Sequence, residues 1–391
     1  MATKKARREN GMGTVYQRPN GTWVGKLQLG LDGCGKPKIK YFSGKTESEV
    51  KKKIRAFSPT NLIPDVKTVT VGVYLNHWLL NSKMDFIKRS SYDALEKTVR
   101  NQILPHLGMI QLSALTSEDI QALLKKLKKQ GYSYSTVKKV HTCFNEVLRY
   151  ATIKGDIIRN PMLEVKMLSE SLFEKKEIRI FNPAESALIA EEATRAYKTG
   201  KMVYAYGDVF ILMLNTGIRL GEAIGLEKQD WNPADRTLHI RRNIQSVKRR
   251  DDDGNPLTGR ELVSNTTKTY SGTRTIALNK AATEALERLC AENPDSKNIV
   301  CTNKGGIVPP ERIERTFYHL LDNIGLEREG PHSLRHTFAS LLFASKVDIK
   351  TVSKLLGHAN TQITYNTYIH LLEDAGHSAV AVLNDIILPA N

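Results

Sequence analysis

Near the start of the chain, apolar and polar residues alternate with the period of two expected of strands. Gly13–Arg18 and Trp23–Leu29 read as two strands around the hairpin signal Asn20-Gly21, and Lys38–Phe42 follows a turn at Asp32-Gly33 and Gly35 as a third. The alternation assigns Lys26, Gln28, Lys38 and Lys40 to one basic face, and Leu27, Leu29, Ile39 and Tyr41 to an apolar one. The period then changes to a helical one. Thr46 followed by Glu49 makes a helix start, and that helix, running to about Phe57, would cover the apolar face. Residues 58–68 hold two prolines and read as a linker. Helical periodicity resumes at Val71–Leu80, Tyr92–Leu104, from Thr116 to about Gln130 with Thr116 and Asp119 as its cap, and at Ser135–Ile153. A mixed, charged stretch at 164–178 reads as a second linker. Beyond it come apolar helices, a β-rich stretch at 237–278, and helices to the end. The pattern predicts a multidomain chain. A small three-stranded sheet with one helix occupies 1–60, an all-α domain 66–163, and a mixed α/β, mainly α domain 175–391.

Length agrees with this division, since 391 residues suggest two to three domains. A hydrophobic share of 40% supplies an ordinary core, which excludes a disordered or collagen-like chain. Runs such as Val209–Leu214 are far too short for a membrane span, and MATKKARREN lacks the apolar stretch of a signal peptide. Cys34, Cys143, Cys290 and Cys301 form no CxxC pair, which fits a reducing cytosol and no zinc site. The charge is less ordinary: 58 lysines and arginines oppose 41 acids, a formal net charge of +17. Residues 1–60 hold 14 of those cations against four acids. Concentration at one end points to a nucleic-acid-binding module whose basic strands, together with Arg18, could enter a major groove. A solvated sheet face is the plainer alternative. Lys125, Lys129, Lys138 and Lys139 add basic stripes to the helical domain, as a phosphate-contacting surface or simply a solvated one.

Nucleotide-binding loops and metalloprotease motifs are absent from the sequence, and no His/Cys/carboxylate cluster has metal spacing. Four other stretches carry chemistry. In the first, TGIRLGE, Arg219 opens a helix and Glu222, one turn on, can hold its guanidinium for bidentate phosphate binding. In the second, Lys268 of TKT precedes SGTRTIAL near a β-turn, where a long cation can reach a groove. In the third, HSLRHT, His332 and Arg335 share a helix face suited to a phosphoryl group, and His336 reads as pointing elsewhere, a structural residue. The fourth, LLGHANTQITYNTYIH, supplies His358, Tyr365, Tyr368 and His370. A tyrosine beside such cations can act as a covalent nucleophile. Each stretch alone is equally compatible with ordinary packing.

Together and in this order, the four resemble the tyrosine recombinase (phage and transposon integrase) family. GTVYQRPNGTWVGKLQLG with KYFSGKT resembles the arm-binding domain of transposon-type integrases, and the helical block resembles the family's core-binding domain. The resemblance implies site-specific recombination through a 3′-phosphotyrosyl bond, with no cofactor, metal or ATP. It assigns Arg219 and Arg335 to the non-bridging phosphate oxygens, Lys268 to the leaving 5′-oxygen, His332 and His358 to phosphate contacts and proton transfer, Glu222 to support, and Tyr368 to the attack. Tyr368 is preferred to Tyr365 because it lies ten residues after His358 and begins a Tyr-x-His. The implied partners are double-stranded DNA with arm and core sites, a homotetramer, an excisionase and DNA-bending proteins, at a cytoplasmic, nucleoid-associated location. A type IB topoisomerase, a non-catalytic DNA-binding regulator and a chromosome-dimer resolvase are the rival readings. The sheet domain favours an element-encoded integrase over the last.

Overall fold

The computed structural model describes residues 14–31, 37–56, 68–174, 178–251, 254–266 and 273–372. The chain divides into two compact units, one of Met1–Lys175 with Arg250–Asn255 and the other of Lys176–Arg249 with Pro256–Asn391.

The first unit begins with an antiparallel sheet in the order β1 (Thr14–Gln17), β2 (Trp23–Leu31), β3 (Pro37–Gly44), followed by α1 (Glu47–Ala56). The cap of α1 forms as expected: the Glu49 amide donates to Thr46 Oγ1 at 3.2 Å, and the Glu49 carboxylate accepts from the Lys45 amide at 2.9 Å. The facing of the strands differs from the expectation. Lys26 pairs with Tyr41, whereas Leu27 pairs with Lys40. Directly paired residues share a face, so Lys26 and Lys40 lie on opposite faces. In backbone register Lys38 stands two residues from Lys40, and Gln28, paired with Ile39, two residues from Lys26. Alternation within a strand fixes its two faces but not which face meets which on the next strand; here the pairing and an irregularity between Gln28 and Gly30 decide that. Helix α1 lies on the Gly25 and Lys40 side, where a Cβ added at Gly25 would stand 2.4 Å from Ile54 Cδ1. The other side carries exposed Lys26 with exposed Tyr16 and Tyr41. Of Gln28 and Lys38, only the backbone is described.

The helices of this unit are α2 (Val71–Ser82), α3 (Arg89–Thr98), α4 (Leu104–Leu107), α5 (Ser117–Lys129) and α6 (Tyr134–Lys154). Instead of one helix from Tyr92 to Leu104, α3 passes through a π-turn at Val99–Ile103 into α4. Pro105 has no amide hydrogen to continue an ordinary ladder, and the wider turn absorbs the break. Thr116 and Asp119 form the reciprocal cap of α5. Trp78, Ile103, Ile120, Leu124 and Phe144 fill the helical core. Arg18, Lys125, Lys129, Lys138 and Lys139 are all exposed.

The second unit contains α7 (Pro183–Ala193), α8 (Gly207–Thr216) and α9 (Leu220–Ile224), then β4 (Trp231–Asn232), β5 (Thr237–Ile240), β6 (Arg242–Arg250), β7 (Pro256–Thr266) and β8 (Arg274–Ala277). β4, β5 and β8 make one sheet, and β6 with β7 another. Five helices follow: α10 (Lys280–Glu292), α11 (Pro310–Asn323), α12 (His332–Ala344), α13 (Ile349–Leu356) and α14 (Thr361–Leu372). The all-round apolar α8 runs through the core among Phe181, Leu238, Leu286 and Phe317. A smaller cluster joins Ala339, Phe343, Val352, Leu356 and Tyr368. Among the described residues, no helix is long and apolar enough to cross a membrane.

Candidate active site

The site is built where helix ends meet. Helix α8 stops at Gly217, which has φ +65° and acts as a left-handed cap. A Cβ there would lie 2.3 Å from the Phe338 ring, so both turn geometry and space demand glycine. Two residues later Arg219 opens α9 in extended conformation. Its amide and its Nη1 both donate to Glu222, at 3.0 and 2.8 Å. This is the Arg–Glu pair expected from their spacing.

The second partner of Glu222 was not foreseen. Arg274 of β8 donates to it through Nη2 at 2.8 Å and sends Nε to the Leu355 carbonyl at 2.7 Å. Glu222 is only 2% exposed. Burial pushes its pKa up, but the hydrogen bonds and charge of Arg274, then Arg219, outweigh that and bring it down to about 2. The carboxylate is therefore ionised and locked between two cations.

Arg335 is 2% exposed. Its Nη1 donates to the Gly217 carbonyl, and its Nη2 to the Leu356 carbonyl, each at 2.7 Å. Leu355 and Leu356 end α13, where carbonyls have no partner within the helix and the dipole favours cations. The two arginines thus dock on one helix end. Burial and the charge of Arg219 lower the Arg335 pKa to about 9, which leaves it protonated at neutral pH.

His358 follows the left-handed cap of α13 at Gly357. Arg335 Nη2 lies 2.9 Å from His358 Nε2, and Thr364 Oγ1 lies 2.7 Å from His358 Nδ1. A guanidinium can only donate, so Nε2 is the acceptor and the ring proton sits on Nδ1, donated to Thr364. Burial, then Arg335 and Arg219, lower the His358 pKa to about 4, so the ring is neutral. His332, the first residue of α12, is exposed; the surrounding protein, then Arg335 and Arg219, lower its pKa.

Tyr368 is 1% exposed, whereas Tyr365 is 43% exposed. The Tyr368 hydroxyl lies 2.7 Å from His336 Nδ1, and burial raises its pKa to about 12 against the pull of Arg335. The reading of His336 as pointing elsewhere is therefore corrected. Residues four apart share a helix face, and the His332 and His336 rings meet edge to face at 4.8 Å. Burial, His332 and Arg335 lower the His336 pKa to about 4.

The structure thus gathers Arg219, Glu222, Arg335 and His358 around the end of α13, Arg219 with Glu222 in one hydrogen-bonded set and Arg335 with His358 in another, with His332 beside them and Tyr368 bonded to His336. Lys268 and the side chain of His370 lie outside the described residues. Arg274, Thr364 and His336 complete the group and were missed. Arg274 had a signal, since it stands in SGTRTIAL in phase with buried Ile276; Thr364 had none. Three guanidinium groups face one carboxylate and neutral imidazoles, an arrangement suited to an anion that gains charge during reaction.

The model of the phage integrase family matches residues 186–374, and that of the phage integrase central domain matches 73–167. A XerC-like tyrosine recombinase of Caldanaerobacter subterraneus is 29% identical over 93% of this chain and 95% of the relative. The transposase of transposon Tn916 from Enterococcus faecalis is 24% identical over 71% of this chain and 69% of its own. In fold, the chain resembles the Tn1549 transposon integrase in complex with a circular intermediate DNA, with a TM-score of 0.65 at 18% identity, covering 80% of this chain and 99% of that one. It also resembles a lambda integrase tetramer bound to a Holliday junction, with a TM-score of 0.54 at 18% identity, covering 89% and 96%. The chain carries the domains of the phage integrase family, the tyrosine recombinases.

Proposed function

We propose that the chain is a site-specific recombinase that integrates and excises a mobile element by cutting and rejoining DNA through a 3′-phosphotyrosyl intermediate. The observation that carries this reading is the meeting at the end of α13 of two hydrogen-bonded sets, Arg219 with Glu222 and Arg274, and Arg335 with His358, with Tyr368 bonded to the helix that supplies Arg335. Arg219 and Arg335 bind the non-bridging oxygens and offset the charge of the pentavalent transition state. His332 and His358 contact the phosphate, and Lys268 protonates the leaving 5′-oxygen. Glu222 holds Arg219 in place, and Tyr368 attacks phosphorus. The phosphotyrosyl bond conserves the energy of the broken phosphodiester, so rejoining needs no nucleotide.

In this reading residues 1–60 bind arm sites, 66–163 clamp the core site, and 175–391 carry the chemistry. Arg18, Lys26, Gln28, Lys38 and Lys40 serve the arm domain, with Lys26 on its uncovered face. Lys125, Lys129, Lys138 and Lys139 serve the clamp. Linking the modules raises the effective concentration of each at its site. The working species is a homotetramer on double-stranded DNA, assisted by an excisionase and DNA-bending proteins and located with the nucleoid in the cytoplasm. Exchange between paired sites separates this reading from relaxation by a type IB topoisomerase. The test is a nicked suicide duplex carrying the element's end: wild type forms an SDS-stable adduct, and Tyr368→Phe binds the duplex normally but forms none. A normal adduct yield from the variant would sink the assignment.

A further inference from the structure

We propose that His336 is a further catalytic residue, the group that takes the proton of the Tyr368 hydroxyl during strand cleavage and returns it on rejoining. The inference rests on the reading of Tyr368 as nucleophile. In that reaction Arg219 and Arg335 carry the phosphate, and Lys268 supplies the proton of the leaving oxygen. The resemblance gives proton transfer to His332 and His358, but the histidine hydrogen-bonded to the Tyr368 hydroxyl is His336.

His336 is placed to receive the tyrosine proton. Its Nδ1 stands 2.7 Å from the reacting oxygen, within the range for proton transfer between heavy atoms. It lies one residue after Arg335 on α12, so the helix that positions a phosphate ligand positions the base as well. The Tyr368 ring also packs on Phe343, seven residues on from His336 along the same face of α12, with ring centres 5.6 Å apart, which limits how far the hydroxyl can stray from the imidazole. The groups facing the His336 ring are His332 and Arg335 from its own helix and Tyr368 from α14. Burial and those cationic or titratable neighbours keep the ring neutral above about pH 4, so a nitrogen lone pair is available at neutral pH. Tyr368, by contrast, is pushed up to about 12 and does not ionise unaided. An arriving phosphodiester adds negative charge beside Arg335, which relieves the repulsion that depresses the imidazole and raises its proton affinity at the moment of need.

The step balances. The Oη–P bond forms as the P–O5′ bond breaks; the tyrosine proton passes to His336 Nδ1, and the leaving oxygen takes one from Lys268. On rejoining, the attacking 5′-hydroxyl gives its proton to Lys268, and Tyr368 recovers its own from the imidazolium.

The test uses the full-length chain, with His336→Ala and His336→Asn, on two suicide duplexes. One has the natural oxygen at the scissile position and the other a bridging 5′-sulfur, whose thiolate leaves without a proton. Asparagine keeps a hydrogen-bonding amide near Tyr368 but cannot take up a proton, and it carries the test if the alanine variant does not fold. Both variants are expected to bind duplex like wild type and to form adduct about 10²-fold more slowly on both substrates. Their rates should climb with pH from 6 toward 9, while wild type stays level. Lys268→Ala, in contrast, should recover on the sulfur substrate. A wild-type rate in His336→Asn, recovery of either His336 variant on sulfur, or faster cleavage by either overturns the proposal. If wild type itself forms no adduct, the fault lies with the proposed function instead, so the two failures are distinct.

Discussion

Replacing Glu222 by Gln removes a buried charge while keeping its shape. Its carboxylate holds Arg219 and Arg274, both within hydrogen-bonding distance. The folded state brings its pKa from the ordinary 4.5 to about 2. At ~1.4 kcal/mol per pH unit, that difference contributes about 3 kcal/mol of stability at pH 7. The folded pKa is the lower one, so the contribution is complete above pH 4.5 and fades as pH falls toward 2. At pH 3 roughly half of it should remain. Glu222→Gln should therefore lose about 3 kcal/mol at pH 7, a size typical of breaking one side of a buried ion pair, and roughly half of that at pH 3. Because the chain has two compact units, a single melting curve would mix them. Hydrogen exchange of peptides covering α8 and α9, read across a urea series at both pH values, isolates the affected part. An equal penalty at pH 7 and pH 3, or none at pH 7, would refute the argument that the ionised carboxylate holds the two arginines.

Gly217→Ala should destabilise the second unit by about 1–3 kcal/mol in hydrogen exchange of peptides covering α8 and α9, because φ is +65° and the new methyl meets Phe338; displacing the Gly217 carbonyl from Arg335 should also slow adduct formation. Thr364→Val leaves the His358 Nδ1–H without its acceptor, so about 1–3 kcal/mol of stability should go in hydrogen exchange of peptides covering α13 and α14, and Thr364→Ser should restore it. Lys26→Ala should weaken arm-site binding in a salt titration and lower the salt slope by about one.

Much of this molecule is written in local sequence. The caps at Thr46 and Thr116, the extended entry of Arg219 and the Arg–Glu pair depend on residues within one turn, and the structure has them where the spacing puts them. What stayed hidden depends on contacts between distant segments. The pairing of Leu27 with Lys40 is set across strands, so alternation alone put the basic residues on one face. Arg274 joins the site only because β8 passes beside α9 and the end of α13, 52 residues from Glu222 and 81 from Leu355. Thr364 finds His358 across the α13–α14 turn. His336 was within reach of sequence reasoning: its four-residue offset from His332 places both on one face, but the tyrosine it meets lies 32 residues away.

The central claim is that Tyr368 becomes covalently joined to DNA through a 3′-phosphate. Trapping the wild-type adduct on a nicked duplex, digesting protein and DNA, and sequencing the nucleotide-bearing peptide by mass spectrometry tests it most directly. The account predicts a single phosphotyrosine at Tyr368, linked to the 3′-phosphate and leaving a free 5′-hydroxyl. A nucleotide on Tyr365, a 5′-phosphoryl linkage, or an unmodified Tyr368 peptide from a cleaved substrate would contradict it.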